Sequence, residues 1–210
     1  MSKTLPLVIF VLCASAFAQD KTVVNDCRIR PGALCAEMNL NGIDLQGIDL
    51  ARAQFSRSKM VGANFQRANL AEADLELAEL RGADFRGASL AGATLRAANL
   101  LDTKFLGANI GGANLENAQM AGADFTEANL GGANLSGGRM PSVKFRDANL
   151  QRANLSNANL KGAVLVGADL TGANLANANL TDANLNGAIL DQTRFDGATM
   201  SGCMGCPKKR

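Results

Sequence analysis

The feature that most constrains this chain is an apolar period of five. Every residue number divisible by five, from Leu40 to Met200, is Leu, Ile, Met or Phe. In GANLANANLTDANL, residues 172–185, leucine falls at 175, 180 and 185, each with alanine two places before it. A spacing of five suits neither the 3.6-residue period of a helix nor the 2.0 of a strand. The position two before the large residue is Ala in most repeats, with Thr103, Val143 and Thr193 as compact substitutes and Gly138 smaller still. The residue between is mostly Asn or Asp, and Gly is common two places after the large residue. Cys35, with Ala33 ahead of it, extends the phase backwards and gives 34 repeats over residues 33–202.

Phenylalanine carries a longer order. Phe65, Phe85, Phe105, Phe125 and Phe145 are twenty residues apart, and all seven Phe of the repeat region sit at the large position. Four pentapeptides therefore return the chain to the same side. The pattern predicts an all-β solenoid of roughly square cross-section, one pentapeptide per side, four per coil and a little over eight coils. The large residue and the small one two places before it point inward from a short extended segment. Gly and Asn suit the corners, where positive φ or a tight turn is needed. Stacking at the strand spacing of about 4.8 Å makes a rod roughly 40 Å long.

A single coil buries too little to offset the ordering of twenty residues, so stability has to come from contacts between neighbouring coils. The ends then need caps, because an end coil presents unpaired backbone and an open apolar axis. The end coils do differ: Cys35 and Phe55 begin the column that closes at Phe195, and Leu40 and Met60 begin the one that closes at Met200.

The A(D/N)Lxx pattern, seen as ADLEL, ANLGG, ANLSN and ADLTG, resembles that of the pentapeptide repeat family over about four fifths of the chain. The resemblance implies a right-handed quadrilateral parallel β-helix. It also implies a second functional class, since some members are DNA mimics that bind topoisomerases and protect them from quinolones. Those members are acidic, cytoplasmic and commonly dimeric with projecting loops, whereas this chain has a formal net charge of +2 and no insertion between repeats.

Residues 1–18, MSKTLPLVIFVLCASAFA, read as a signal peptide: Lys3, an apolar run from Leu5 to Leu12, and a small-x-small site at Ala16-Phe17-Ala18. The run is too short to span a bilayer. Cleavage after Ala18 predicts an exported chain, periplasmic or secreted, with a capping segment over 19–32 and a tail over 203–210. Cys27, Cys35, Cys203 and Cys206 remain, an even count that argues for disulfides in an exported protein. Cys35 and Cys203 lie at opposite ends of the rod, so a monomer can pair only Cys27 with Cys35 and Cys203 with Cys206. The first pairing staples NDCRIRPGALC over the N-terminal end. The second is a CxxC that reads as a C-terminal clip, since no βαβ context for redox catalysis surrounds it. A zinc site of four cysteines requires two chains meeting at their ends, and an end-to-end homodimer is the assembly that would provide one.

On the outside, Asp84, Lys104, Asp124 and Lys144 align into a ladder of alternating charge, a stabilising rather than a steering feature. Asn114, Asn134, Asn154 and Asn174 align likewise, with amides able to bond from coil to coil. Leu106, Val164 and Val166 are apolar at outward positions and mark a candidate contact surface. In SGGRMPSVKF, residues 136–145, Pro141 cannot donate to a ladder, which predicts a local irregularity. The chain has no His, no Gly-rich phosphate loop, no metal-ligand cluster and no nucleophile beside a base, so neither catalysis nor a cofactor is expected. The near-neutral charge and the short PKKR tail argue against nucleic acid. The expected function is a non-catalytic scaffold binding an unidentified protein partner, with no membrane span.

Overall fold

The computed structural model of the chain describes residues 23–207. The signal peptide expected over 1–18 lies outside the described residues, as do residues 19–22 and 208–210. Two short antiparallel strands come first, β1 (Val23–Val24) and β2 (Cys27–Arg28), paired Val23 with Arg28 and Val24 with Cys27. The loop between them is Asn25-Asp26, at φ 48° and 66°. Positive φ at both central residues is what a type I′ hairpin turn needs, and Asn and Asp tolerate it.

From Leu34 onward the pairing is parallel, and each residue's partner lies twenty positions along. The bridges run from Leu34–Gln54 to Asn184–Met204 in four columns, with one bridging residue per pentapeptide. The phenylalanine spacing therefore reports the true coil length. Each pentapeptide pairs through a single residue, the Asn/Asp position, rather than through a continuous strand. The residue two places after the large one interrupts extension: Arg57, Gly82 and Asn157 there have φ 57°, 66° and 59°. The ladder reaches Met204, so the first two residues of the CxxC continue the repeat beyond 202.

The repeat around Leu75 shows how the backbone is satisfied. Asp74 N–H donates to Ala53 O in the coil before (2.9 Å), and Leu75 and Leu77 N–H donate to Thr94 O and Arg96 O in the coil after (2.7 and 3.0 Å). Ala78 N–H closes the corner onto Leu75 O at 3.1 Å. The remaining N–H, that of Glu76, donates to the side chain of Asp74 at 2.9 Å. All five amides of the unit are paired, as buried or half-buried backbone requires. The Asn/Asp preference just before the large residue thus has a local cause, since its carbonyl or carboxylate oxygen reaches the N–H two residues on.

The large side chains and the alanines line one continuous core. Phe65, Phe85, Phe105, Phe125 and Phe145 are fully buried and stack with centroids 4.7, 5.0, 4.5 and 5.1 Å apart. Where the small position carries a hydroxyl, that hydroxyl bonds a corner carbonyl of the coil before. Ser58 Oγ donates to Cys35 O at 2.6 Å, Thr103 Oγ1 to Leu80 O at 3.2 Å, and Thr193 Oγ1 to Leu170 O at 2.8 Å. Gly138 follows from its neighbours. A Cβ there would lie 2.7 Å from Met140 Cε and 3.0 Å from both Met120 Cε and Leu135 O. The Pro141 segment keeps the bridge register, because Arg139 and Lys144 still pair on both sides. Pro141 also accepts a bond from Gly122 N–H through its carbonyl (3.2 Å).

The ends depart from the repeat. In the first full coil Met38, Ile43 and Ile48 occupy the small position, and Met38, Ile43 and Val24 are partly buried against the core. At the other end Leu190, Phe195, Met200, Cys203 and Cys206 are only partly buried against the core.

Candidate functional site

The outward surface consists of three positions per pentapeptide, the one before the large residue and the two after it. Bridging aligns the first of these once per coil in each of the four columns, so outward side chains repeat at the ladder spacing. Asp84, Lys104, Asp124 and Lys144 do align as neighbours in one column. Their ion pairs are less regular than their order. Lys144 Nζ lies 3.5 Å from Asp124, whereas Asp84 pairs with Arg86 of its own coil at 2.7 Å. The arginine two residues on reaches the carboxylate with several donors at once, which a lysine in the next coil cannot match. Other charges pair between coils: Arg52 with Glu72 at 2.9 Å, Arg57 with Glu37 at 3.5 Å, and Arg96 with Glu76. These exposed pairs contribute little each.

Three carboxylates that cap neighbouring amides and accept a side-chain donor as well, Asp84, Asp124 and Asp169, have perturbed ionisation. Burial pushes Asp84 and Asp124 up, but hydrogen bonds outweigh it and hold both below the ordinary carboxylate range. The donors are the Arg86 side chain and backbone for Asp84, and the Thr126 hydroxyl and backbone for Asp124. Arg86 and Lys144 add opposite charge. Asp169 is lowered by the Thr171 hydroxyl, then Gln151 and the Thr171 backbone. These shifts belong to the repeat's hydrogen-bond scheme and mark no reactive group.

The asparagine columns bond as ladders. Asn134, Asn154 and Asn174 each donate to the preceding asparagine of the column (3.4, 3.3 and 3.3 Å), starting from Asn114. A second ladder runs Asn109, Asn129, Asn149 at 3.0 Å per step. Each asparagine uses its oxygen on the N–H two residues along as well, as in Asn154 with Ser156 at 3.2 Å. No periodic signal in the sequence separates this local bond from a general polar preference.

Leu106 is 42% exposed, while Val164 and Val166 are half-buried on either side of the buried Leu165. Val164 takes the bridging position between Lys144 and Asn184, where it has no oxygen to offer Val166 N–H. Lys144 and Val164 therefore break the Asn/Asp rule in consecutive coils of one face. An open groove of about 370 Å³ lies near the N-terminal end, lined by Pro31, Gly32, Ala51, Arg52, Ala71 and Glu72. Among the described residues no three His, Cys, Asp or Glu side chains come together as a metal site. Among them, too, no helix is long and apolar enough to cross a membrane.

Among the described residues the four cysteines form two pairs at opposite ends of the ladder. Cys27 and Cys35 are disulfide-bonded with Cα atoms 5.3 Å apart, and Cys203 and Cys206 with Cα atoms 5.8 Å apart. The first bond ties β2 to the first pentapeptide, and both its cysteines are 0% exposed. The second lies at the open end, with both cysteines partly exposed.

Comparison with known proteins adds a family. The family model described as pentapeptide repeats matches residues 32–67, 142–177 and 163–202, and that described as a pentapeptide repeat region matches 78–155. Among solved structures, the chain is 31% identical to HetL, a pentapeptide repeat protein involved in heterocyst differentiation regulation in the cyanobacterium Nostoc sp.. That match covers 81% of this chain and 88% of HetL, with a TM-score of 0.44. A trypsin-treated form of QnrB1, a plasmid-mediated fluoroquinolone resistance protein, is 20% identical over 84% of this chain and 87% of its own, with a TM-score of 0.47. A pentapeptide repeat protein of the Arabidopsis thaliana thylakoid lumen is 26% identical over 65% of this chain and 67% of its own, at a TM-score of 0.20. The search of curated proteins returned no match.

Proposed function

Because the chain belongs to the pentapeptide repeat family of right-handed β-helices, we propose that it is a non-catalytic exported scaffold that binds a protein partner through the flat faces of its rod. In this reading the rod is quadrilateral, has a little over eight coils, and has its signal peptide removed after Ala18. The observation that carries the proposal is the unbroken ladder from Leu34 to Met204. It holds outward side chains in fixed columns without a projecting loop between repeats, an arrangement suited to displaying a broad surface rather than enclosing a small molecule. The contact surface is assigned to the face of Leu106, Val164 and Val166. There a valine stands where an asparagine would complete the local hydrogen bond, so the apolar side chain is present at the expense of a backbone partner.

The experiment combines fractionation with photo-crosslinking. A crosslinker placed at Leu106 or Val166 of the full chain is expected to capture one protein in the exported fraction, and the same crosslinker at Asn154 to capture none. Val164→Asn is expected to stabilise the rod by about 0.5–1.5 kcal/mol while abolishing the crosslink. A cytoplasmic chain that protects DNA gyrase from a quinolone overturns the scaffold reading in favour of the topoisomerase-binding class.

A further inference from the structure

The two disulfides are chemically unequal, and the difference lies in how each is packed. Cys27 and Cys35 are both 0% exposed. Cys35 N–H donates to Gln54 O at 2.8 Å, and Cys35 O accepts from the buried Ser58 hydroxyl at 2.6 Å. Core side chains surround the bond, leaving no line of approach for an attacking thiolate. Cys203 and Cys206 are partly exposed at the end of the ladder, within a loop whose ends are three residues apart against eight for the other pair. A smaller ring restrains the unfolded chain less, so this bond is also worth less to the fold.

The short loop has a definite mechanical role. Met204 is the last bridging residue among those described: its N–H donates to Ala183 O (2.9 Å), and its carbonyl accepts from Leu185 N–H (2.7 Å). Gly205, at φ 75°, then lies directly on the backbone of the coil beneath. A Cβ there would come within 2.6 Å of Leu185 C and 2.7 Å of Leu185 O and Asn186 N. Leu185 is buried, whereas Leu190, Phe195 and Met200, on which no further coil stacks among the described residues, are partly exposed. The loop therefore covers one of the four columns of the last coil, and the Cys203–Cys206 bond holds its far end down.

We propose that Cys203–Cys206 is a thiol-exchange site, opened by a dithiol reductant while Cys27–Cys35 stays closed, and that its opening releases the loop from Leu185. In the first step a thiolate of the reductant attacks Sγ of Cys206. A mixed disulfide forms, and Cys203 leaves as a thiolate that takes up a proton. The second thiol of the reductant then attacks the mixed disulfide, giving Cys206 as a free thiol and the reductant as its own disulfide. Two electrons pass from the reductant to the protein. Released, Gly205 lifts from the backbone below and the Leu185 amide loses its acceptor. This inference is independent of the proposed scaffold function and holds whichever partner the faces bind.

The test uses the folded full-length chain, dithiothreitol and N-ethylmaleimide, with the labelled positions read by mass spectrometry. Cys203 and Cys206 are expected to label under native conditions, and Cys27 and Cys35 only after denaturation. Hydrogen exchange at the Leu185 amide is expected to rise about tenfold on reduction, while that of Leu165 stays unchanged. Cys206→Ser should show the faster Leu185 exchange with no reductant present. Labelling of all four cysteines together, or of Cys203 and Cys206 only after denaturation, overturns the selective site. An unchanged Leu185 exchange rate in both the reduced protein and Cys206→Ser overturns the release.

Discussion

Residue by residue, the repeat is a set of small hydrogen-bonding and steric decisions. The Asn or Asp before each large residue accepts from the amide two places on, as Asp74 does from Glu76 and Asn154 from Ser156. Asn154 also bonds the asparagines on either side of it in the column, so Asn154→Ala removes three bonds at once. It should cost about 1–3 kcal/mol, measured by urea denaturation. Gly138 is small because Met120 and Met140 fill the space a methyl would take. Gly138→Ala is accordingly expected to destabilise by about 1–3 kcal/mol, and adding Met140→Leu, which takes away one of the crowding methyl groups, should recover part of the loss. The lowered Asp84, Asp124 and Asp169 give the protein an acid-side dependence. A carboxylate with a depressed folded-state pKa contributes stability above its unfolded value, near 3.9, and that contribution is lost as pH falls through the folded value. The midpoint of thermal unfolding should therefore be flat above about pH 5 and fall below about pH 4, and Asp84→Asn should weaken that fall.

At the level of the element, the working unit is the column rather than the strand. Each pentapeptide pairs through one residue, so no side of a coil is a sheet by itself, and cohesion comes from repetition along the axis. The phenylalanine column shows this most plainly, since Phe105 stacks on Phe85 and Phe125 at 5.0 and 4.5 Å. Phe105→Ala should cost about 3–5 kcal/mol, because both neighbouring rings lose a partner and a cavity opens in the axis. Phe105→Asp places a charge in that axis and should abolish cooperative folding in circular-dichroism melts. A variant melting like the parent would mean that Phe105 does not point inward. The hairpin β1–β2 belongs to this level too, since Cys27 of β2 is bonded to Cys35 and Asn25 of its turn donates to Asn39 O at 2.7 Å, which fixes it to the first coil, where Met38, Ile43 and Ile48 stand in the small position.

Across the whole molecule, the two ends are closed by different means. A buried disulfide and a hairpin close the N-terminal end, while an accessible CxxC loop covers a single column at the other. Ile189 and Met204 are 48% and 51% exposed there, and Phe195 and Met200 remain partly open. Amide protection by hydrogen exchange should accordingly peak in the coils of Phe85 to Phe145 and decline toward Ile189. Uniform protection along the rod would contradict the nearest-neighbour account of its stability. Much of this is legible in the sequence. An apolar residue at every fifth position and a phenylalanine at every twentieth leave a chain few ways to bury its large side chains, so the coil length, the inward residues and the aligned outward columns all follow from the sequence. The two cysteine pairings follow from the same periodicity, because a rod keeps its ends apart. The structure alone decided what depends on three-dimensional closeness between residues whose spacing carries no period. Ser58 reaching the carbonyl of Cys35, Met120 crowding Gly138, Arg86 taking Asp84 from Lys104, and Gly205 resting on the backbone of Leu185 are such cases. A repeat fixes where each coil lies, whereas contacts of this kind depend on side-chain reach and local free space, which the period leaves open.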